Sequence, residues 1–260
     1  MTQADRIREK FSQQELVIGG HVFSADAQFA ELLGLHGYDF VWVDFEHSAF
    51  SLPTVLAHIT ACAAANTAAF VRVAWNDPVR IKQVLEMGPD GLIIPFICTA
   101  QEAASAIDAC RYPPHGSRGF GPRRAIRYGA MSRDEYLAGA DKALLKIMQI
   151  EHCTGVANLK EILAVPGVDM IVIGPNDLSA SYGHLDNIRH PEMLSVYDDI
   201  VRVCRDANIP CGVSIGAQCH VTIDEWLARG LQYIVCGDDL GFASEGATRT
   251  LNYIRGKKRL

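Results

Sequence analysis

Eight short runs of β-branched and apolar residues alternate with Ala- and Leu-rich stretches of helical period along the whole chain. The runs fall near 16–23, 39–44, 69–74, 91–95, 144–150, 169–173, 211–215 and 232–236. Between them, helices are expected near 26–36, 52–65, 78–87, 100–110, 155–164, 191–207 and 218–228, with a last one near 241–256. Eight strand–helix units in roughly 250 residues predict a (β/α)8 barrel as a single domain over 1–260, with a doubly wound open sheet as the structural rival. Pro78 and Pro191 mark first helical turns, where a missing N–H costs nothing.

Bulk properties narrow the function. The chain has 260 residues, 49% of them hydrophobic, enough for one large core. A net charge of −6 argues against a nucleic-acid partner. No apolar run approaches the ~20 residues of a membrane span, and the N-terminus lacks an apolar signal core. A soluble cytoplasmic protein is expected. Eight cysteines (62, 98, 110, 153, 204, 211, 219, 236) form no Cys-x-x-Cys pair and read as core residues of a reduced protein. The glycines of 116–121 lie in a polar loop rather than after a strand, so no nicotinamide site is expected. A weaker glycine signal over 211–216 would suit a phosphate.

In a β/α barrel the reaction site lies at the C-terminal ends of the strands. Polar residues gather there in this sequence. Asp44 and His47 follow the second run, Arg72 ends the third, Glu151 ends the fifth and Asp177 follows the sixth. Strand alternation puts Gln149 on the same face as Glu151 and turns Lys146 the other way. A Schiff-base aldolase needs an inward lysine at a strand end. None of the seven lysines is so placed, and no pyridoxal cofactor is implied. Glu151 and Asp177 are hard oxygen ligands suited to Mg²⁺, Mn²⁺ or Co²⁺. Such an ion would stabilise an enolate formed from a 2-oxo acid, with Arg72 donating to the same oxygen. His47 is the natural proton carrier, with Asp44 or Glu86 as a candidate partner for its ring.

Each residue also has a plain structural reading. Asp177 could cap a turn, Glu151 could be a solvated strand-end acid, and His47 could be structural. Arg72 in an apolar strand needs a partner whatever its role. The segment 111–142 is long and rich in arginine. It reads as a functional loop, or, for the arginines of 118–127, as a solvated face.

The stretches Trp42-Val43-Asp44-Phe45-Glu46-His47, Val71 to Pro78, Arg111 to Gly119, Gln149-Ile150-Glu151 and Ile173 to Ser179 resemble the metal-dependent (class II) pyruvate aldolases of the HpcH/HpaI family. This family includes the 4-hydroxy-2-oxoheptanedioate and 2-keto-3-deoxy sugar-acid aldolases. The resemblance implies reversible cleavage of a 4-hydroxy-2-oxo acid to pyruvate and an aldehyde, with the aldehyde contacting loops where the arginines of 118–127 would favour a carboxylated or hydroxylated one. It assigns Glu151 and Asp177 to the metal, Gln149 and the main chain around Asn176 to pyruvate, Arg72 to the enolate and His47 to proton transfer. It places Glu86 as the acid partner of His47. It also implies a homo-oligomer, in particular a hexamer whose last helix docks on a neighbouring subunit. Decarboxylation or hydrolysis of an oxo acid through the same enolate is the alternative chemistry. A non-catalytic oxo-acid-binding barrel is the alternative class.

Overall fold

The computed structural model describes residues 1–216 and 220–257. Cys219, the first residues of the helix expected near 218–228 and the tail Lys258-Arg259-Leu260 lie outside them. The strands are β1 (Val17–Val22), β2 (Phe40–Asp44), β3 (Ala68–Arg72), β4 (Gly91–Ile94), β5 (Leu145–Ile150), β6 (Met170–Ile173), β7 (Cys211–Ile215) and β8 (Tyr233–Asp238). They pair in chain order as a closed barrel in which every pairing is parallel. Its helices are α1 (Gln3–Ser12), α2 (Gln28–Leu35), α3 (Leu52–Ala64), α4 (Pro78–Glu86), α5 (Ala100–Cys110), α6 (Arg133–Gly139), α7 (Cys153–Ala157), α8 (Leu159–Leu163), α9 (Pro175–Ser181), α10 (Pro191–Asp206), α11 (His220–Leu227) and α12 (Asp239–Arg255).

Alternation along the strands builds two cores. Outward residues such as Val41, Val43, Val71, Leu92 and Ile171 pack under the helices. Inward residues Phe40, Trp42, Phe70, Ile147, Val172 and Tyr233 fill the barrel. Large and small residues interdigitate there, as close packing demands. A Cβ on Gly19, Gly91 or Gly212 would stand 2.3, 2.5 or 2.4 Å from the rings of Phe40, Phe70 and Tyr233. Helix α1 closes the floor, with Ala4 and Ile7 buried in the inner core and Phe11 6.3 Å from the Tyr233 ring. The sequence reading passed over α1. Its signal was the Thr2–Asp5 capping box, in which each side chain satisfies the other's backbone N–H.

A fourfold clamp secures the N-terminal rim. The residue before each even strand exchanges its backbone N–H and its side-chain oxygen with one residue of the preceding strand. Asp39 accepts the N–H of Ile18 at 2.9 Å, Asp90 that of Ala69 at 3.0 Å, Asp169 that of Lys146 at 2.9 Å and Gln232 that of Cys211 at 2.9 Å. In return, the N–H groups of Asp39, Asp90, Asp169 and Gln232 donate to the carbonyls of the same four residues, at 2.8 to 3.0 Å.

The segment 111–142 departs from expectation. It carries a 3₁₀ turn, Arg127–Gly129, and helix α6. It connects α5 to β5, so within the chain it lies at the N-terminal rim, away from the strand C-termini. Its arginines serve the backbone there. Arg118 donates to the Leu85 carbonyl at 3.2 Å, and Arg124 to the carbonyl of Met87 at 2.6 Å. The expectation that the 118–127 arginines contact the substrate held by this chain is therefore corrected. A helix–strand connection in a β/α barrel always falls on the face opposite the reaction site.

Candidate active site

The inward face of each strand ends at the mouth, and there apolar side chains give way to polar ones. Arg72 follows Ala68 and Phe70 on the inner row of β3 and is 6% exposed. A guanidinium this deep needs acceptors, and three surround it. It ion-pairs with Asp44, meets Glu46 Oε2 at 3.0 Å and reaches Gln149 Oε1 at 3.5 Å. Its carbon lies 5.2 Å from the centroid of the Trp42 ring. Arg72 Nε is buried without a hydrogen-bond partner, a donor in reserve for a ligand.

Asp44 is fully buried and does two things. Besides pairing with Arg72, it accepts the backbone N–H groups of Glu46 and His47 at 3.0 and 2.8 Å. It therefore fixes the turn that carries His47 and leaves the imidazole alone. The side chain of His47 is 60% exposed at the mouth, and its Nε2 lies 3.8 Å from Glu46 Oε2. Asp44 as ring partner is thus corrected, because both its oxygens are committed elsewhere. Glu86 is not that partner within the chain either. It ends α4, a helix that runs back toward the N-terminal rim, and it faces Arg118 at 3.5 Å.

Glu151 is 2% exposed. Its Oε1 accepts the backbone N–H of Phe96 at 2.9 Å, and its Oε2 accepts Gln149 Nε2 at 2.5 Å. Gly174 lets the β6–α9 turn close over it, since a Cβ there would stand 2.5 Å from Glu151 Oε2. Asn176 and Asp177 follow in the first turn of α9, both exposed. Burial raises the Glu151 carboxyl to about 7, with Arg72 opposing and the charges of Glu46 and Asp177 adding to the rise. Burial also raises Glu46, again opposed by Arg72, with Asp44 and Asp177 pushing upward.

Asp44, Glu46, Glu151 and Asp177 thus share one field with the Arg72 cation. Four carboxylates against one guanidinium, all oxygen donors, form a set that fits a hard divalent cation. Lys146 is elsewhere. It points outward at the N-terminal rim, with Nζ 3.0 Å from Asp141 and 3.2 Å from Asp169. Among the described residues, the group whose ligand atoms all lie within 4.8 Å of one another is His184, His190 and Glu192, in the β6–α10 connection on the same C-terminal face.

Sequence reasoning gave no role to Glu46 or to His21, which sits on the inner row of β1 beside Trp42. Their signal was parity. His21 shares the inner face with Val17 and Gly19, and Glu46 lies two residues past Asp44.

A closed parallel barrel with acids, a cation and a histidine at its C-terminal mouth has the layout of a β/α-barrel enzyme. The chain belongs to the HpcH/HpaI aldolase/citrate lyase family, whose model matches residues 18–243. It is 38% identical over 231 residues to a hydroxypyruvate/pyruvate aldolase of Chromohalobacter salexigens, covering 87% of this chain and 89% of that protein. It is 34% identical over 247 residues to a 2-dehydro-3,6-dideoxy-6-sulfogluconate aldolase of Pseudomonas putida, covering 95% of each. The crystal structure of an HpcH/HpaI aldolase/citrate lyase family protein from Burkholderia cenocepacia superposes with a TM-score of 0.90 at 30% identity, covering 97% of this chain and 98% of that one.

Proposed function

We propose that this enzyme is a divalent-metal-assisted pyruvate aldolase that cleaves a 4-hydroxy-2-oxo acid to pyruvate and an aldehyde. The observation that carries the reading is the excess of carboxylates around Arg72 at the mouth, together with aldolases among the relatives. Glu151 and Asp177 would hold the cation, and Gln149 and the chain at Asn176 would seat pyruvate. When bound, the cation supplies Lewis-acid stabilisation of negative charge on the 2-oxo oxygen.

The chain's own residues perform the rest. Arg72 is fixed by Asp44, Glu46 and Gln149, so it donates to the developing enolate oxygen without reorganising. His47 takes the proton of the 4-hydroxyl as the C3–C4 bond breaks. The electron pair of that bond stays with the pyruvate half as its enolate, and the 4-carbon leaves as the aldehyde. Protonation at C3 then gives pyruvate. Glu46 lies between the Arg72 and His47 side chains and supports the protonated imidazole.

The enzyme works as a homo-oligomer, in our reading a hexamer. Helix α12 supports this. Of its residues only Asp239 is buried, and Leu240, Leu251, Tyr253 and Ile254 present apolar surface that a neighbouring subunit would cover. Among the described residues Cys62, Cys98, Cys110, Cys153, Cys204 and Cys211 carry free thiols, which supports our reading of a reduced, cytoplasmic protein. Among the described residues no helix is long and apolar enough to cross a membrane.

Pyruvate release from a panel of 4-hydroxy-2-oxo acids, with and without Mg²⁺ or Mn²⁺, tests the reading. Metal-dependent release is expected. Release that persists in chelator, or a pyruvate–lysine adduct trapped by borohydride, would overturn it.

A further inference from the structure

The β1–β7–β8 wall of the mouth carries a polar pair that the reaction described above does not use. His21 is 3% exposed. Its Nδ1 lies 3.0 Å from the carbonyl oxygen of Gly237, and its Nε2 lies 2.8 Å from Ser214 Oγ. Ser214 stands on the inner row of β7 with Gly212, whose Cβ position is 2.4 Å from the Tyr233 ring. Strand β8 separates β7 from β1, so the Ser214–His21 contact runs through the barrel interior. The two residues differ in access: solvent reaches Ser214 in part, whereas the imidazole lies behind it.

Hydrogen-bond logic fixes the protons. A carbonyl only accepts, so His21 Nδ1 carries a proton. Burial holds the imidazole below its ordinary pKa, against the pull of the Gly237 carbonyl and the Asp44 charge, so the ring stays neutral and Nε2 is bare. Ser214 must then donate its one proton to Nε2. Its lone pairs are all that it offers to the mouth. The Trp42 ring joins this pair to the catalytic cation, 5.3 Å from the His21 ring and 5.2 Å from the Arg72 carbon.

We propose that Ser214, oriented by His21, determines specificity by accepting a hydrogen bond from a hydroxyl group on the aldehyde half of the substrate. This rests on the aldolase reading. An acceptor-only serine favours a hydroxylated aldehyde, whose O–H can donate. It disfavours a carboxylate at the same place, which would set lone pairs against lone pairs, and it gains nothing from an alkyl group of equal size.

The test compares aldol addition of pyruvate to glycolaldehyde and to propanal, which differ by hydroxyl against methyl, with Mn²⁺ supplied. The unaltered enzyme should prefer glycolaldehyde in kcat/KM by about five- to tenfold beyond the intrinsic reactivity ratio, as a neutral hydrogen bond allows. Ser214→Ala should abolish that preference, and Ser214→Thr, which keeps Oγ, should retain it. His21→Phe should lose it too, His21 being a positioning residue. Exchange of the pyruvate methyl protons with solvent, which needs only the donor half, should be unchanged in Ser214→Ala. Normal exchange with a preference that survives Ser214→Ala, or that the unaltered enzyme lacks, would overturn the proposal and leave the aldolase reading standing. No exchange in the unaltered enzyme would overturn the aldolase reading, and this proposal with it.

Discussion

At the N-terminal rim, Asp39, Asp90 and Asp169 each accept a backbone N–H from the neighbouring strand, and Lys10, Arg8 and Lys146 stand beside them or nearby. At the C-terminal rim, Asp44, Glu46, Glu151 and Asp177 crowd around Arg72. The residue types are alike and the outcomes opposite. Lower-rim charges are spent on backbone amides and close partners, so they hold strand ends together. Upper-rim acids outnumber their cation, so they store repulsion that a divalent ion would relieve. Function sits where the polar groups are left over, as is common at sites that trade stability for chemistry.

Metal removal should have the largest effect and fall on one rim alone. Chelation should lower turnover by about a thousandfold or more, several kcal/mol of lost Lewis-acid stabilisation, and the melting temperature of the chelated, metal-free protein should rise in Glu151→Gln. Unchanged turnover in chelator would erase the distinction between the rims.

Arg72→Ala should lower kcat by about 10²–10³-fold, the usual cost of an oxyanion donor. It should also cost about 3–5 kcal/mol of stability, because Asp44 would remain buried without its cation. In the proposed reaction this residue bridges the comparison, being both catalytic and structural. Urea denaturation beside steady-state rates would show whether both losses occur.

Lys146→Met should do the reverse of metal removal. Its partners are partly exposed, so a loss of about 1–3 kcal/mol is expected, with kcat near that of the parent. A large fall in kcat at full folding would mean that the lower rim reaches the chemistry.

The smallest effect concerns pH. Burial raises Asp90 to about 6, against the opposing pull of the Ala69 N–H and Arg124. Its folded pKa lies above the unfolded one, so the native state holds the extra proton between about pH 4 and 6. The stability Asp90 contributes is therefore full below pH 4 and lost as pH rises through 6. Asp90→Asn should gain on the parent by about 1–3 kcal/mol over that window, read from urea midpoints at pH 4 and 7.

Much of this was legible in the sequence. Short apolar, β-branched runs placed the strands, and strand parity separated inward Gln149 from outward Lys146. Helix α9, seven residues long, carries little periodic signal, and α1 precedes the first strand, outside the strand–helix alternation that located the other helices. Partner choice was the least legible. Asp44 and His47 are three residues apart, yet the contact is to the backbone and not the ring, because the turn rather than the spacing sets the direction. Within the chain Glu86 faces Arg118 instead of the His47 ring, because helix direction carries it to the other rim. The 111–142 arginines looked like a mouth and are a floor, since composition does not tell a strand–helix loop from a helix–strand one.

The clamps at Asp39, Asp90, Asp169 and Gln232 recur once every two strands, so the lower rim divides the barrel into quarters. Each clamp measures one strand against its neighbour to a single residue. In a sheet closed on itself, a slip of one residue would turn every inward side chain outward, exchanging Arg72 and Gln149 for Val71 and Met148. No later adjustment at the mouth could repair that error, because Arg72 and Gln149 stand on the inner rows themselves. A side-chain oxygen that recognises only its own amide makes the slipped sheet lose bonds at its first rung, before any catalytic residue is in place. The precision of the reacting geometry is thus set about one barrel length away, by residues that never meet a substrate.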